Sequence, residues 1–215
     1  MNKLGLLLTV SMVLGLSAAV NGQVDTATRA KKLGVQTGET QKALTSAQAL
    51  QKLKDGNARF VAGIVKNQKN YRKQISVTAK GQYPYAAILS GLDSRVAVDD
   101  IFDLNNGDAF NGRIAGNVMN PDMLGSFEFA TKLAGAKVIV VLGHTKCGAV
   151  KGACEFAEMG NLTGLLERIE PAVNWIGKDW MDGEKNSKND KFVEVVGGKK
   201  RQIGNGKHLE RQPDS

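Results

Sequence analysis

The sequence predicts an α/β fold, a mostly parallel central sheet flanked by helices, and two observations support it. Short apolar runs alternate along the chain with stretches of helical periodicity, which is typical of a parallel sheet with helices on its faces. The runs at 85–90 and 137–142 contain almost only apolar residues, as expected for strands covered on both faces. The 215 residues, 42% apolar and 23% charged, suffice for one domain with a full core.

The remaining predicted elements fit between and around these two strands. Ser46 is expected to cap a helix that residues 56–57, Gly-Asn, kink or interrupt. A weaker strand is predicted over 110–115, after an Asn-Asn-Gly turn signal. Pro121 is expected to open a helix that extends to Lys132. The order of strands and helices therefore favours a single parallel sheet.

The N-terminal part of the chain differs in composition from the rest. Residues 1–22 join Lys3 to an apolar run and then to small residues at signal-peptidase spacing, which predicts a cleaved secretory signal. An uncleaved membrane anchor is the alternative, although the run is short for a bilayer span. The mature protein is therefore expected to be periplasmic or secreted, with no membrane attachment after cleavage. Residues 23–44 are polar and aperiodic, which indicates a linker or arm before a main domain at 45–198.

The C-terminal segment 199–215 is predicted to be an atypical basic tail. It holds five basic and two acidic residues and shows neither periodicity nor apolar content. With suitable codons, displacing the reading frame by one base gives a helix-like sequence, so we hypothesise a frameshift near residue 198. The rest of the +8 net charge is not clustered with aromatic residues, which argues against a nucleic-acid partner.

Candidate functional residues follow the first and last predicted strands. Asp93 and Arg95 come after the first strand, and His144 and Cys147 come after the last. Because ligands bind beyond the carboxyl ends of such strands, these four residues are candidates for one site. Imidazole and thiolate are zinc ligands, although this spacing alone is a weak signal and a merely hydrogen-bonded histidine is the alternative. Cys154 is expected to be a small buried residue, with a Cys147–Cys154 bridge as the less favoured interpretation.

Four motifs follow one another along the chain: Leu89-Ser90-Gly91-Leu92-Asp93-Ser94-Arg95, Gly107-Asp108, Arg113-Ile114-Ala115-Gly116-Asn117 and Gly143-His144-Thr145-Lys146-Cys147-Gly148-Ala149-Val150. Together with the segments 53–60 and 160–166, they resemble the signature series of the β-class carbonic anhydrases. The resemblance covers about residues 45 to 175. It implies a zinc ion, Zn²⁺, held by Cys, His and Cys, with water or an aspartate in the fourth place. Such an ion lowers the pKa of bound water to about 7, and the hydroxide attacks CO₂ to give bicarbonate.

Carried over to this sequence, the resemblance makes His144 and Cys147 zinc ligands. Asp93 becomes the switchable carboxylate that pairs with Arg95 or closes onto the metal, with a purely structural ion pair as the alternative. Gly91 stands where the family has its first ligand, a cysteine. Asp93, His144 and Cys147 are therefore the expected metal ligands, and we expect low or no activity unless another group replaces the cysteine.

The resemblance implies zinc-dependent, reversible hydration of CO₂ to bicarbonate, impaired by the change at Gly91. Two alternatives stay open: a catalytically inactive relative that binds an anion near Arg95 or a protein, and a zinc enzyme acting on a CO₂-like carbon–sulfur compound. A homodimer or larger homo-oligomer is also implied. The family's C-terminal edge strand is expected to be lacking. His208 lies in the atypical tail, so a histidine proton shuttle is not expected.

Overall fold

The computed structural model describes residues 26, 28–66 and 70–204, the last four of them by backbone alone. Within these ranges the sheet has three parallel strands, β1 (Ala86–Ser90), β2 (Ala109–Arg113) and β3 (Val138–Leu142), in the order β2-β1-β3. The central strand β1 is buried along its whole length. Since Ser90 pairs with Arg113 on one side and with Leu142 on the other, the three carboxyl ends meet at one edge. The predicted parallel α/β architecture is confirmed.

Helices lie on both faces of the sheet. Ala86 and Ile88 on one face of β1 share a core cluster with Leu53 of an N-terminal helix. Ala87 and Leu89 on the other face pack against Phe127, which belongs to the helix that follows β2 in the chain. In chain order the helices are α1 (Gly38–Ala43), α2 (Ser46–Val61), α3 (Tyr71–Thr78), α4 (Val98–Ile101), α5 (Pro121–Glu128), which continues as a π-helical turn (Phe129–Leu133), α6 (Gly148–Cys154), α7 (Gly160–Leu166), α8 (Glu170–Asp179) and α9 (Asp190–Gly204).

Helix α2 is longer and more regular than the sequence pattern predicts. Thr45, rather than Ser46, is the capping residue: its hydroxyl accepts from the Gln48 amide, and its own amide donates to the Gln48 side chain at 2.9 Å. The helix continues through Gly56, so the predicted interruption there is wrong. A Cβ at Gly56 would lie 1.9 Å from the carbonyl oxygen of Phe102. The glycine therefore allows a close approach between two backbones, without bending the helix.

Residues 23–44, predicted as a linker or arm, are attached to the domain where the structure describes them. Gln41 of α1 is buried, and its amide donates to the carbonyl oxygens of Pro84 at 2.6 Å and Ala134 at 2.8 Å. The side chain of Asn105 also donates to the backbone of this segment, at 3.0 Å. The segment is therefore a docked arm, held by these hydrogen bonds and by the burial of Ala30 and Val35.

Helix α9 extends past the boundary predicted at residue 198. Phe192, Val196 and Lys200, which follow one another at single-turn spacing, are all buried. The core-facing stripe thus continues to residue 200, and the prediction that periodicity ends near 198 is wrong. The pattern was hidden because the buried position is a lysine rather than an apolar residue.

Other predictions for the two ends fall on residues outside the described part of the chain. These are the secretory signal at 1–22 and the tail from residue 205 onward, including His208. The signal, the frameshift and the export of the protein therefore stay predictions. Within the described ranges, none of the helices has both the length and the apolar character that crossing a membrane requires.

Candidate active site

The loop that follows β1 is held by hydrogen bonds from two arginines. The amide and Nε of Arg95 donate to Oδ1 of Asp93 at 2.9 and 3.0 Å, and Nη2 donates to Oδ2 at 2.7 Å. Arg113, the last residue of β2, donates from Nε to the carbonyl oxygen of Gly91 at 3.2 Å and from Nη2 to that of Asp93. The predicted Asp93–Arg95 pair is therefore present, and a second arginine fixes the backbone beneath it.

These contacts determine the charge of Asp93. Hydrogen bonds from the side chain and backbone of Arg95 stabilise the carboxylate and hold the pKa of Asp93 well below its usual range. The pKa of Arg95 is raised by the same pair. Asp93 is therefore ionised at neutral pH, and both of its oxygens accept hydrogen bonds from Arg95.

His144 lies at the carboxyl end of β3 with its two ring nitrogens in different surroundings. Nδ1 is 2.9 Å from the carbonyl oxygen of Thr145, which only accepts, so Nδ1 carries the proton. The same nitrogen is 3.7 Å from Oδ2 of Asp93, beyond hydrogen-bond distance. Nε2 faces Gly91: a Cβ built on that glycine would lie 3.1 Å from it. In the neutral ring Nε2 is then the acceptor nitrogen, and it faces the position that lacks a side chain.

Cys147 is buried at the residue before α6, with 8% of its surface exposed. It lines the same cavity as His144, a space of about 350 Å³ that Glu194 of α9 also lines. Both cysteines are free thiols, so the alternative Cys147–Cys154 bridge is not formed. Burial raises the pKa of Cys154 to about 11, which makes it an inert thiol, as its expected role as a small buried residue requires.

The residues present do not fit a catalytic zinc site with three protein ligands. Among the residues that the structure describes, no three His, Cys, Asp or Glu side chains are grouped so that they could hold a metal ion. His144 and Cys147 offer two donors, whereas Asp93 is engaged by Arg95. The predicted ligand set of these three residues is therefore not assembled, and its metal-binding role stays a prediction.

Sequence reasoning assigned no role to two groups at this site. Arg113 fixes the loop that carries Gly91 and Asp93, and its place in the motif Arg113-Ile114-Ala115-Gly116-Asn117 was the available signal. The hydroxyl of Ser90 is fully buried and makes no hydrogen bond in the structure. No pattern in the sequence indicates that orphaned hydroxyl.

Comparison with known proteins agrees with this architecture. The sequence model of the carbonic anhydrase family, described as "Carbonic anhydrase", matches residues 86–201. "Carbonic anhydrase 2" of Mycobacterium tuberculosis is 42% identical over 126 residues, which make up 56% of this chain and 61% of that protein. The carbonic anhydrase of Mycolicibacterium smegmatis is 38% identical over 126 residues, with the same coverage of both chains.

Solved structures show the same fold. The β-carbonic anhydrase CafA of Aspergillus fumigatus is 26% identical with a TM-score of 0.56, covering 74% of this chain and 73% of that one. The β-carbonic anhydrase CcaA is 23% identical with a TM-score of 0.58, covering 73% and 72%. The chain belongs to the carbonic anhydrase family and has the β-class fold. It spans about three fifths of the length of the relatives that it matches.

Proposed function

We propose that this protein catalyses the reversible hydration of CO₂ to bicarbonate, in a zinc-dependent reaction that is impaired in the chain as it stands. The observation that carries the proposal is the orientation of His144, whose free Nε2 faces Gly91 beside the ionised Asp93. This arrangement supports a metal site in which position 91, now a glycine, lacks the side chain that would act as a metal ligand. Family membership supports the choice of CO₂ and bicarbonate as substrates.

The proposed roles of the chain's own residues follow from their contacts. Asp93, held in its ionised form by Arg95, orients a water molecule by accepting a hydrogen bond from it. Arg113 keeps the carbonyl groups of Gly91 and Asp93 in place. Zinc, where it is bound, supplies acidity to water in this chemistry. His144 and Cys147 provide two of the three ligands that a catalytic zinc takes, and this shortfall is the proposed cause of the low activity.

The proposal extends to assembly and location. Large apolar side chains are exposed at the end of α2 and just beyond it, with Val61 at 76% and Ile64 at 58%, which supports a homodimer or larger homo-oligomer. Light scattering of the purified chain measures this directly, and a monomer at micromolar concentration would contradict it. We propose a periplasmic or secreted location, with no membrane or nucleic-acid partner, from the sequence features given above.

The test compares the chain with its Gly91→Cys variant in zinc content and in CO₂ hydration. We expect the variant to hold about one zinc ion per chain after dialysis and the parent to hold much less. The rate of the variant should exceed that of the parent by about a hundredfold or more, since the introduced thiol would supply the third ligand through which zinc could be held. Gly164→Cys is the matched control: it adds a thiol on α7, where a Cβ meets nothing within 4 Å.

Three outcomes would contradict the proposal. A parent chain with full zinc and a rate equal to that of the Gly91→Cys variant would show that the site is not impaired. A variant that gains no zinc would show that His144 and Cys147 do not form a metal site. A zinc-loaded variant without CO₂ hydration would favour an anion-binding or protein-binding relative, or one that acts on a carbon–sulfur compound.

A further inference from the structure

Lys200 is a buried lysine in the last described turns of α9. Only 7% of its surface is exposed. Its ammonium group donates to the carbonyl oxygen of Gly116 and to Oδ1 of Asn117, the latter at 2.7 Å. A buried lysine is unfavourable unless its charge is satisfied by acceptors, so its partners indicate what it stabilises.

Those partners belong to a tight turn, Ala115–Asn117, that follows β2. Gly116 and Asn117 both have left-handed backbone angles, with φ of +66° and +39°. A Cβ on Gly116 would lie 2.7 Å from Cδ1 of Ile169 and 3.2 Å from Cβ of Ala149, so the turn is packed closely against its neighbours. Glycine adopts this conformation freely, whereas at Asn117 it is less common and is stabilised by surrounding contacts. The ammonium group accounts for two such contacts.

The turn lies between the two halves of the candidate active site. On one side it begins two residues after Arg113, which fixes the carbonyl groups of Gly91 and Asp93. On the other side it contacts Ala149, two residues after Cys147 and in the first turn of α6. Displacement of the turn would therefore disturb both the loop after β1 and the residue before α6.

We propose that Lys200 is a positioning residue for this site: it locks the turn at 115–117 and thereby holds the start of α6 against the end of β2. The inference rests on the proposed function only in treating these two halves as one site. Its test needs neither zinc nor catalysis, so its failure is distinguishable from failure of the proposed function. The segment that sequence reading treats as an atypical tail thus supplies an internal support.

The two free cysteines provide a test, because they lie at opposite ends of α6. Native-state labelling with a small maleimide, followed by mass spectrometry, measures the reactivity of Cys147 and Cys154 in the same molecule. In Lys200→Met we expect Cys147 to react about fivefold faster or more, because local opening follows the loss of the contacts that hold the turn. Cys154, at the far end of the helix, should keep its parental rate.

Lys199→Met is the matched control. It removes a positive charge one residue away, where the ammonium group lies over the Trp175 ring at 3.5 Å from its centroid. We expect this variant to change neither labelling rate. Equal acceleration at Cys147 and Cys154 in Lys200→Met would indicate general destabilisation and overturn the proposal. Unchanged labelling at both cysteines would also overturn it.

A second variant tests the same contact should Lys200→Met fail to fold. Asn117→Asp places a carboxylate opposite the ammonium group and removes the side-chain amide of Asn117, which is buried without a hydrogen-bond partner. Aspartate tolerates the left-handed backbone of this position. We expect a higher midpoint of thermal unfolding and slower labelling of Cys147 than in the parent. A lower midpoint in the Asn117→Asp chain would overturn the proposal.

Discussion

Asp108 accepts two hydrogen bonds through one oxygen from Asn105, from its backbone amide at 2.9 Å and its side chain at 3.2 Å, while its second oxygen is buried without a partner. Burial is the main cause that raises the pKa of Asp108 to about 6, above its ordinary value of 3.8. The bonds from Asn105 and the charge of Lys52 oppose that shift without cancelling it. The carboxyl group is therefore easier to protonate in the folded chain than in the unfolded one.

The first prediction concerns stability against pH. The pKa of Asp108 is higher in the folded chain than in the unfolded one. Its contribution to the free energy of unfolding is therefore fully present below about pH 4 and is lost as pH rises through 6. The loss amounts to about 3 kcal/mol of unfolding free energy. In Asp108→Asn we expect this fall between pH 4 and 6 to disappear from urea unfolding curves.

Asp190→Asn is the control for that experiment. Asp190 is exposed and pairs with Lys151 at 2.8 Å, which lowers its pKa. The pH dependence of its stabilising contribution is therefore opposite: the contribution is present at higher pH and is lost on acidification. The prediction would be contradicted if the unfolding free energy of Asp108→Asn fell between pH 4 and 6 as steeply as that of the parent.

The second prediction concerns the Asp93–Arg95 pair. In Arg95→Ala the carboxylate loses the two hydrogen bonds from the Arg95 side chain, so the pKa of Asp93 should rise from its depressed value toward about 3.9. NMR titration of the Asp93 carboxyl carbon measures this shift. The backbone amide at position 95 still donates to Asp93 in this variant, so we expect the pKa of Asp93 to stop short of its ordinary value. Arg168→Ala, on the surface, is the control, and an Asp93 titration unchanged by Arg95→Ala would disprove the assignment.

The third prediction tests the close approach at Gly56. Gly56→Ala places a Cβ where the Phe102 carbonyl oxygen lies, so α2 must shift away from the loop after α4. We expect a loss of about 3 kcal/mol or more in the free energy of unfolding by urea. Gly125→Ala in α5 is the matched control, since nothing lies within 4 Å of its Cβ, and it should stabilise by about 0.5 kcal/mol. Similar stability of the two variants would contradict the close approach.

The fourth prediction tests whether the N-terminal segment is a docked arm. Gln41→Ala removes both hydrogen bonds to Pro84 and Ala134, so we expect amide exchange over 28–44 to accelerate about tenfold or more. The exposed Lys42→Ala should leave that exchange unchanged. The midpoint of global unfolding should hardly move in either variant. Unchanged exchange in Gln41→Ala would show that other contacts hold the arm.

Apolar periodicity predicted the sheet well because β1 and β3 are nearly pure runs of apolar residues. It failed at α9, where the core-facing residue is Lys200, and at Gly56, where a packed backbone rather than a break explains the glycine. Such cases depend on neighbours far along the chain, which local patterns do not contain.

The candidate site was predicted in part. The pairing of Asp93 with Arg95 and the nearness of His144 and Cys147 to one cavity agree with the expectation from strand ends. The choice between the two expected partners of Asp93, Arg95 or a metal, was not predictable. It results from competition between hydrogen-bond donors for one carboxylate, and a sequence gives no distances by which to rank them.

The register of the central strand has a consequence for how the molecule folds. Ser90 lies beside Leu142, so Gly91 and His144 become neighbours only when β1 and β3 have paired in parallel. That pairing closes the long loop containing β2 and α5, and contacts of such sequence separation form slowly. We therefore expect the site to assemble late in folding, so that a chain trapped before that pairing would have no site.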